Sequence, residues 1–217
     1  MPTGSAQPRL ASVHRLPLAG ADDSALARAA AAGDPAAAPA VWDRFSPLVR
    51  GLLRRSLGPG SDVEDQVQDV FLRFFKKIDT LRDPSALRSF LVGITIRVAG
   101  SELRRRRVRR WLRVTDTGAL PDIEAPSGDA DAREAVARLY ANLDQLDDEG
   151  RLAIVLRHIE GLELLDVAAA LDLSLATTKR RLAKATARLH AMLERDPALA
   201  GYLNQPDRGA SNEPADL

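Results

Sequence analysis

The chain has 217 residues, enough for one domain or two small ones, and its 45% hydrophobic content is sufficient for globular cores. It contains no cysteine, which excludes a disulfide framework and a thiolate metal site. The net charge is only +1, yet basic residues gather at 104–113 and 179–188 around a mostly acidic stretch, 115–149, which indicates two places that meet phosphate.

The composition predicts an all-α fold, since alanine and leucine dominate, aromatic residues make up only 4%, and no alternating run of β-branched residues occurs. No apolar run approaches the roughly 20 residues needed to span a bilayer, and the N-terminus lacks the apolar stretch of a signal peptide. We therefore expect a cytoplasmic protein without membrane insertion. Residues 1–21 carry scattered Pro, Gly and Ser and are predicted to be a disordered lead-in.

Residues 22–113 are predicted to form a first small helical domain. A helix from Asp23 ends at Gly33-Asp34-Pro35, because glycine suits a helix end and proline cannot continue it. A second helix, which Pro47 is expected to kink, runs to Gly58-Pro59-Gly60. That motif lacks the Gly-Lys-Ser/Thr of a phosphate-binding loop, so we interpret it as a turn.

A third helix begins at Ser61-Asp62-Val63-Glu64, which has the spacing of a capping box, with Ser61 as the cap. One face of this helix is apolar and is expected to be buried, namely Val63, Val67, Val70, Phe71, Phe74 and Ile78. The other side leaves an exposed strip that faces solvent or a partner and consists of Asp65, Gln66, Gln68, Asp69 and Leu72.

A fourth helix starts at Asp83-Pro84, a cap followed by proline at the first helical position. Its stripe of Leu87, Phe90, Leu91, Ile94 and Val98 is expected to be buried, and it continues into the arginine block, 104–113. Arginine clamps phosphates and stacks on unpaired bases, whereas a membrane-surface helix would need a continuous apolar face. The block therefore favours nucleic acid over a membrane.

Residues 114–131 contain Gly, Pro and several acids and are predicted to be a flexible acidic linker. Residues 132–198 are predicted to form a second helical domain, followed by a flexible tail, 199–217. After a first helix and Leu146-Asp-Asp-Glu149, the second domain is expected to contain an apolar helix carrying Leu152, Ile154, Val155, Leu156 and Ile159.

Residues 161–189 show two apolar stripes of helical period separated by a break at Leu173-Ser174, which is the pattern of a helix-turn-helix. Ser174 is the predicted N-cap of the second helix. Outside its stripe that helix carries only basic charges, Lys179, Arg180, Arg181, Lys184 and Arg188. Such a helix is suited to a DNA major groove, although a solvated charged face is the alternative.

An enzyme is not expected. The three histidines, His14, His158 and His190, are far apart in sequence and lack the spacing of metal ligands. No pairing of a nucleophile with a base and no nucleotide-binding loop is evident. We therefore predict no catalytic residue, no metal site and no cofactor.

The order of these elements resembles a bacterial RNA polymerase sigma factor of the sigma-70 family, extracytoplasmic-function group, over residues 22–194. Residues 62–75 are similar to the family's core-binding segment, and 87–107 to the segment that melts and reads the minus-ten element. Residues 146–189 are similar to the region that reads the minus-thirty-five element. The resemblance implies a sigma factor that binds core RNA polymerase and promoter DNA, directs transcription initiation, and has an anti-sigma factor as a candidate partner.

The resemblance also implies three sets of site residues. Core polymerase is expected to be bound by Asp62, Asp65, Gln66, Gln68, Asp69, Phe71 and Leu72. The minus-ten element is expected to meet Arg97, Arg104, Arg105, Arg106 and Arg107. The minus-thirty-five element is expected to meet Ser174, Thr177, Lys179, Arg180, Arg181 and Lys184, with Arg180 and Lys184 on bases and Lys179 and Arg181 mainly on phosphates.

The chain departs from the family pattern at several positions. Ile96-Arg97 and Ser101-Glu102 stand where Arg-Asn and Asp-Tyr are usual, and Glu102 is expected to face the melted strand and repel its phosphates. Asp172 stands where glycine is usual in the helix-turn-helix, and aspartate tolerates the left-handed conformation better than most residues.

Charge also leads to two expectations about packing. Arg104 to Arg107 are so close together that we do not expect all of them to pair with internal carboxylates, because Glu102 is the only acid near them in sequence. Without polymerase, the acidic linker and closed packing of the domains are expected to mask the basic faces.

Two alternatives stay open. A helix-turn-helix regulator that does not bind core polymerase would explain residues 161–190 equally well, but it gives no reason for the polar strip or the arginine block. A protein-binding adaptor would dock its basic helices on an acidic partner, and salt-sensitive DNA binding would distinguish a sigma factor from it.

Overall fold

The computed structural model describes residues 20–112, 130–196 and Leu199. This part of the chain contains no strand and eight α-helices: α1 (Asp23–Ala31), α2 (Ala37–Leu57), α3 (Glu64–Lys77), α4 (Leu87–Leu112), α5 (Ala130–Leu143), α6 (Asp148–Ile154), α7 (Leu164–Leu171) and α8 (Leu175–Glu194). The all-α prediction is confirmed. Most of the predicted lead-in, linker and tail, together with His14, lies outside the described residues.

Local sequence signals set several of the helix ends. Asp22 caps α1, its Oδ1 accepting a hydrogen bond from the Ala25 N–H at 2.6 Å, and Gly33 follows the helix with φ +74°. Asp83 accepts a hydrogen bond from the Ser85 N–H at 2.9 Å and caps the 3₁₀ turn Pro84–Ala86 that leads into α4. The Gly33 stop and the Asp83 cap follow the prediction, whereas the Asp22 cap was not predicted.

The predicted capping box is wrong. Helix α3 begins only at Glu64, and its N-cap residue, Val63, makes no side-chain cap. The Ser61 hydroxyl instead donates to the Leu57 carbonyl, and the Glu64 carboxylate accepts two hydrogen bonds from Arg50, at 2.7 and 2.9 Å. The competing arginine thus takes the glutamate that the box would need. This pairing also lowers the pKa of Glu64.

The predicted apolar helix over 152–159 is present but irregular. Helix α6 ends at Ile154, and a π turn, Val155–Ile159, continues it. Val155 and Leu156 are buried, whereas Ile159 is 42% exposed. Because a π turn adds a residue to the helical repeat, the side chains after it are displaced around the axis, which leaves Ile159 outside the core.

Helix α4 is the centre of the molecule and packs against α1, α2, α3, α6 and α7. The buried stripe predicted for it is confirmed, although Phe90 is only half-buried. Thr95, Ile96 and Ala99 are buried as well, at 0–2% exposure, so this stretch of the helix is enclosed on nearly all sides. A helix that is enclosed in this way is apolar on most of its faces. Its sequence pattern therefore does not show that a second set of helices packs on it.

The N-terminal and C-terminal halves share one hydrophobic core. The apolar cluster that includes Leu26, Phe45 and Leu91 also contains Leu152 of α6 and Val167 of α7. A smaller cluster joins α5, α6 and α8 around Leu143, Leu146, Ile154 and Ala185. Helices α6 and α7 therefore pack directly on α4, and the helices after residue 130 do not form a separate body in this conformation.

The C-terminal end of α2 collects polar contacts from three other helices. Its last carbonyls have no partner within the helix. Arg55 O accepts from Tyr140 Oη at 3.0 Å, Ser56 O from Arg151 Nε at 2.9 Å, and Leu57 O from Arg106 at 3.1 Å. Two of the three donors are cations placed at the negative end of a helix dipole, which stabilises the charges there.

Gly58 follows this helix end in a conformation that glycine adopts easily, with φ +99°. A Cβ at this position would lie 3.2 Å from Tyr140 Cδ1, so any side chain would also disturb the contact between the two halves. The motif around Gly58 is a turn, as predicted. No helix in the described residues is both long and apolar enough to cross a bilayer.

Candidate nucleic-acid and partner interfaces

The polar strip predicted on α3 lies largely at the surface. Asp65 and Gln68 are exposed, Gln66 and Asp69 are half-buried, and Leu72 is 60% exposed. Asp69 forms an ion pair with Arg73 at 2.8 Å, one helical turn further on. The strip thus presents acids, amides and an exposed leucine together, which suits a partner that offers both cations and an apolar side chain.

Two residues predicted in the same set lie elsewhere. Phe71 is only 3% exposed, and its ring lies 4.7 Å from that of Trp42, so it belongs to the core and supports the strip from behind. Asp62 precedes the helix, and its Oδ1 accepts a hydrogen bond from the Glu64 N–H at 3.1 Å. In this conformation Phe71 therefore positions α3 and makes no surface contact.

Helices α7 and α8 form the predicted helix-turn-helix. The turn contains Asp172 at φ +56° and ψ +46°, the left-handed conformation expected for it. Ser174 caps α8 as predicted, and its Oγ accepts a hydrogen bond from the Thr177 N–H at 3.2 Å. The same hydroxyl donates to Thr177 Oγ1 at 2.9 Å, which fixes the first turn of the helix.

The basic side of α8 is open to solvent. Lys179, Arg180, Lys184 and Arg188 are exposed, whereas Thr178 and Ala185 of the opposite side are buried. The expectation that closed packing masks this face is wrong, because the C-terminal half is attached through α6 and α7 and leaves α8 outside.

Arg181 differs from its neighbours, since its guanidinium pairs with the Glu149 carboxylate of α6.

The arginine block of α4 is divided between internal pairs and solvent. Arg106 pairs with Glu102 at 3.1 Å and donates to Ser61 Oγ at 3.0 Å. Arg107 pairs with Asp148 of α6 at 2.9 Å and donates to the Leu146 carbonyl at 2.8 Å. The expectation that not all of Arg104 to Arg107 pair with internal carboxylates agrees with this division, since Arg104 and Arg105 are exposed. The acid that Arg107 reaches is distant in sequence and is brought in by the fold.

Glu102 does not face a melted strand in this conformation. It is 8% exposed, and it accepts hydrogen bonds from Arg106 at 3.1 Å and from Arg109 at 2.6 Å. Its charge is therefore compensated by two cations, and the predicted repulsion of phosphate is corrected. The arginines left exposed on the same helix are Arg97, Arg104 and Arg105.

The seam between the halves contains polar residues that the sequence did not single out. Arg151 is 3% exposed and pairs with Asp144, while Arg55 forms a two-pronged ion pair with Glu160, one arm of which measures 2.9 Å. This hydrogen bonding raises the pKa of Arg55, and burial raises the pKa of Tyr140. These ion pairs could not be recognised from the sequence, because the partners are separated by up to 105 residues.

A shallow apolar groove of about 680 Å³ runs along α8. Leu164, Leu182, Ala183, Ala187 and Ala191 line it. His158 and His190 lie at the same groove, although the described residues contain no group of three or more side chains placed to hold a metal ion. Lys179 also lines it, and Ala187 and Ala191 of the same groove lie on the face of α8 that carries Arg180 and Lys184.

Comparison with known protein families accounts for both halves of this arrangement. The family model described as Sigma-70 region 2 matches residues 41–109, and that described as Sigma-70, region 4 matches residues 142–191. The chain belongs to the sigma-70 family. It is a member of the extracytoplasmic-function group and, as a sigma factor, it directs transcription initiation and is not an enzyme.

Individual relatives agree with this assignment. The RNA polymerase sigma factor NccH of Alcaligenes xylosoxydans xylosoxydans is 31% identical over 176 residues, which are 79% of this sigma factor and 95% of NccH. The sigma-E factor of Escherichia coli K12 is 27% identical over 75% of this chain and 90% of its own length. Among solved structures, CnrH in complex with the cytosolic domain of CnrY matches with a TM-score of 0.56 and 28% identity, over 80% of this chain and 98% of CnrH.

Proposed function

We propose that this sigma factor docks on core RNA polymerase through the strip of α3, and that α4 and α8 then bind the minus-ten and minus-thirty-five elements of a promoter. The observation that carries the proposal is that the acidic strip of α3 and the basic stretch 179–188 of α8, which contains no acid, are exposed on one folded unit. Their opposite charges suit a protein partner and DNA respectively. The site of action would then be the cytoplasm, where bacterial polymerase works.

The decisive experiment for the function is run-off transcription with core polymerase. Because the promoter is unknown, binding sites are first selected from a random duplex library by the polymerase holoenzyme that contains this sigma factor. Transcripts that start at a fixed distance from the selected motif, and only when the sigma factor is present, support the proposal. A chain that binds DNA alone but never associates with polymerase would be an ordinary helix-turn-helix regulator instead.

The polymerase contact is tested by reversing charge on α3. Asp65→Lys combined with Leu72→Lys should weaken co-purification with core polymerase while leaving the helix content unchanged, since both side chains are exposed. Asp43→Lys combined with Ala38→Lys, at two exposed positions of α2, produces the same change of charge and should retain binding. Equal binding by both variants would show that α3 is not the polymerase contact.

The proposed contact of α8 with DNA is tested at Arg180 and Lys184. A base-edge contact contributes about 1–3 kcal/mol of discrimination, so replacing both by alanine should reduce the preference of the holoenzyme for its selected minus-thirty-five motif. Arg188→Ala, on the same helix but outside the proposed set, should leave that preference intact. A double variant that still distinguishes the motif from random duplex would exclude this face of α8.

An anti-sigma factor is a further proposed partner. The solved CnrH relative carries the cytosolic domain of CnrY, and the groove along α8 has an apolar lining that suits the apolar face of an amphipathic helix. Placing glutamate at Thr186, which also lines this groove and lies on a different side of α8 from Arg180 and Lys184, should weaken such a partner. Partner binding that survives Thr186→Glu would place the anti-sigma contact elsewhere.

A further inference from the structure

The apolar groove along α8 is open to solvent. Leu164 of α7 and Leu182 of α8, both half-buried, line it together with Ala183 and Thr186, which are both exposed. The volume of the groove is about 680 Å³. Contiguous apolar surface of this kind usually marks a place that binds another segment or another protein.

The groove extends to the end of α8, where the chain continues towards residues 200–217. His190 and Glu194, in the last turns of the helix, line it. Beyond the helix, the Leu199 N–H donates to the Asp196 carbonyl at 3.0 Å, and Leu199 is only 6% exposed, so the chain is still packed on the fold at this residue. The C-terminal segment, residues 200–217, therefore starts a few residues after the end of the groove.

The first residues of the C-terminal segment include two adjacent large apolar side chains, Tyr202 and Leu203. An extended chain covers about 3.3 Å per residue, so the stretch from Leu199 to Leu203 spans up to about 13 Å. A helix with its side chains is about 10–12 Å across. Tyr202 and Leu203 can therefore reach the end of the groove from any side of α8.

The charges that follow Leu203 are opposite to those of α8. Residues 204–217 contain three acids and one base, Asp207, Glu213, Asp216 and Arg208, which gives a net charge of −2. Asp207 lies up to about 13 Å beyond Leu203, which is the length of about nine residues of helix. A segment that runs back along the groove from its C-terminal end would thus bring Asp207 level with Arg180 and Lys184, whose side of α8 borders the groove.

We propose that the C-terminal segment binds in the groove of α8 in the free protein, with Tyr202 and Leu203 on its apolar lining and the acids beside Arg180 and Lys184. The inference rests on the proposed function, in which these two cations contact DNA. The bound segment masks them, so that the free sigma factor binds DNA weakly. Because the segment is attached to α8, its effective concentration at the groove is in the mM range, and weak contacts suffice to hold it.

Disulfide cross-linking tests the position of the segment, since the chain contains no cysteine of its own. In the full-length protein, Ala183→Cys combined with Asn204→Cys should form an intramolecular disulfide under mild oxidation, because Ala183 lines the groove. Ala169→Cys combined with Asn204→Cys is the matched control, since Ala169 is also an exposed alanine but lies on α7 outside the groove, and it should react little. Equal reaction of both pairs, no reaction of the Ala183 pair, or a disulfide that joins two molecules would overturn the proposal.

Binding of the free protein to random-sequence duplex DNA tests the masking. Tyr202→Ser combined with Leu203→Ser removes the apolar contacts and keeps every charge. This variant should bind DNA about 5- to 150-fold more tightly than wild type, the usual range of coupling between two sites. Leu16→Ser combined with Leu18→Ser, near the other end of the chain, is the control and should bind as wild type does.

A change within the groove tests the same contact from the other side. Thr186→Glu places a charge in the apolar lining and should release the segment. In the Thr186→Glu background, the serine changes at Tyr202 and Leu203 should therefore have little further effect on DNA affinity. A full additional gain in that background would show that the serine variant acts outside the groove.

These outcomes are separable from failure of the proposed function. If the holoenzyme selects no promoter and initiates no transcription, the function is wrong, whatever the cross-links show. If it transcribes normally while the Ala183 pair does not react and the serine variant binds DNA as wild type does, only the docking of the segment is wrong. Cross-linking of the Ala183 pair without any change in DNA affinity would refute the masking of α8.

Discussion

Arg105 and Arg106 are neighbours on α4 with the same side chain and different surroundings. Arg106 is linked to Glu102, Ser61 and the Leu57 carbonyl, whereas Arg105 is exposed. We expect Arg106→Ala to lower the free energy of unfolding by about 1–2 kcal/mol, since charged hydrogen bonds are lost and Glu102 loses a partner. Arg105→Ala should change it by less than about 0.5 kcal/mol. Urea denaturation of the two variants measures the difference.

The same pair separates stability from DNA binding. If Arg105 binds a phosphate, Arg105→Ala should reduce the slope of log affinity against log salt by about one unit, with affinity measured between the holoenzyme and its promoter. Arg106→Ala should leave that slope nearly unchanged. A reversed pattern would mean that the internal pairs of Arg106 exchange for phosphate when DNA binds.

Tyr140 makes the contact between the halves sensitive to alkali. Its pKa is raised by burial, so above the unfolded-state value of about 10 the unfolded chain loses a proton that the folded chain keeps. The stabilisation is therefore complete below that pH and is lost as pH rises towards the folded-state pKa. Tyr140→Phe should lower stability at neutral pH by about 1 kcal/mol, through the lost bond to the Arg55 carbonyl, but flatten the alkaline decline. Parallel pH profiles for the two proteins would contradict this.

At the scale of helices, the turn between α7 and α8 carries a cost that glycine would remove. Asp172 occupies the left-handed region, where a side chain is disfavoured. Asp172→Gly should raise the free energy of unfolding by up to about 1 kcal/mol without moving α8, whereas Asp172→Val should lower it by more. Thermal denaturation of both variants, with DNA binding as the check on α8, measures the effect.

Helix positions and caps could be predicted from the sequence because they depend on neighbours within a few residues. The buried stripe of α4, the caps at Asp83 and Ser174 and the left-handed Asp172 all follow from such local rules. The capping box failed because Glu64 pairs with Arg50, a residue on another helix. A local motif holds only when no distant partner competes for the same group.

The candidate functional sites show the same distinction between local signals and contacts with distant residues. Exposure of the α3 strip and of Arg180 and Lys184 follows from helical period alone. The division of the arginine block into paired and exposed side chains could not be predicted. Asp148 and the Leu146 carbonyl reach Arg107 only after the halves pack. The same holds for the three carbonyls at the end of α2, whose donors come from α4, α5 and α6.

At the scale of the whole molecule, Gly100 of α4 offers a way to separate the halves. A Cβ there would lie 3.4 Å from Leu152 Cδ1, so alanine fits and a longer side chain does not. Gly100→Leu should increase the radius of gyration in small-angle X-ray scattering and free Arg107 from Asp148, with helix content preserved. Free protein of this variant should also bind DNA more tightly than wild type.

Gly100→Ala is the matched control for that experiment. It should keep the compact form and gain about 0.5–1 kcal/mol in stability, because alanine favours the helix more than glycine does. If the leucine variant is as compact and as stable as the alanine variant, Leu152 yields easily and the packing of the halves is looser than its contacts suggest.

The enclosure of α4 also has a consequence during synthesis. The helix ends at Leu112, but α7, which covers one of its sides, ends only at Leu171. At about 5–20 residues per second, the ribosome needs about 3–12 s to make the intervening chain. For that time the nascent N-terminal half leaves uncovered the side of α4 on which α7 packs in the folded protein. A chaperone or another nascent chain can bind this surface before the protein's own C-terminal half arrives, so slow codons between these helices should lower the yield of folded protein.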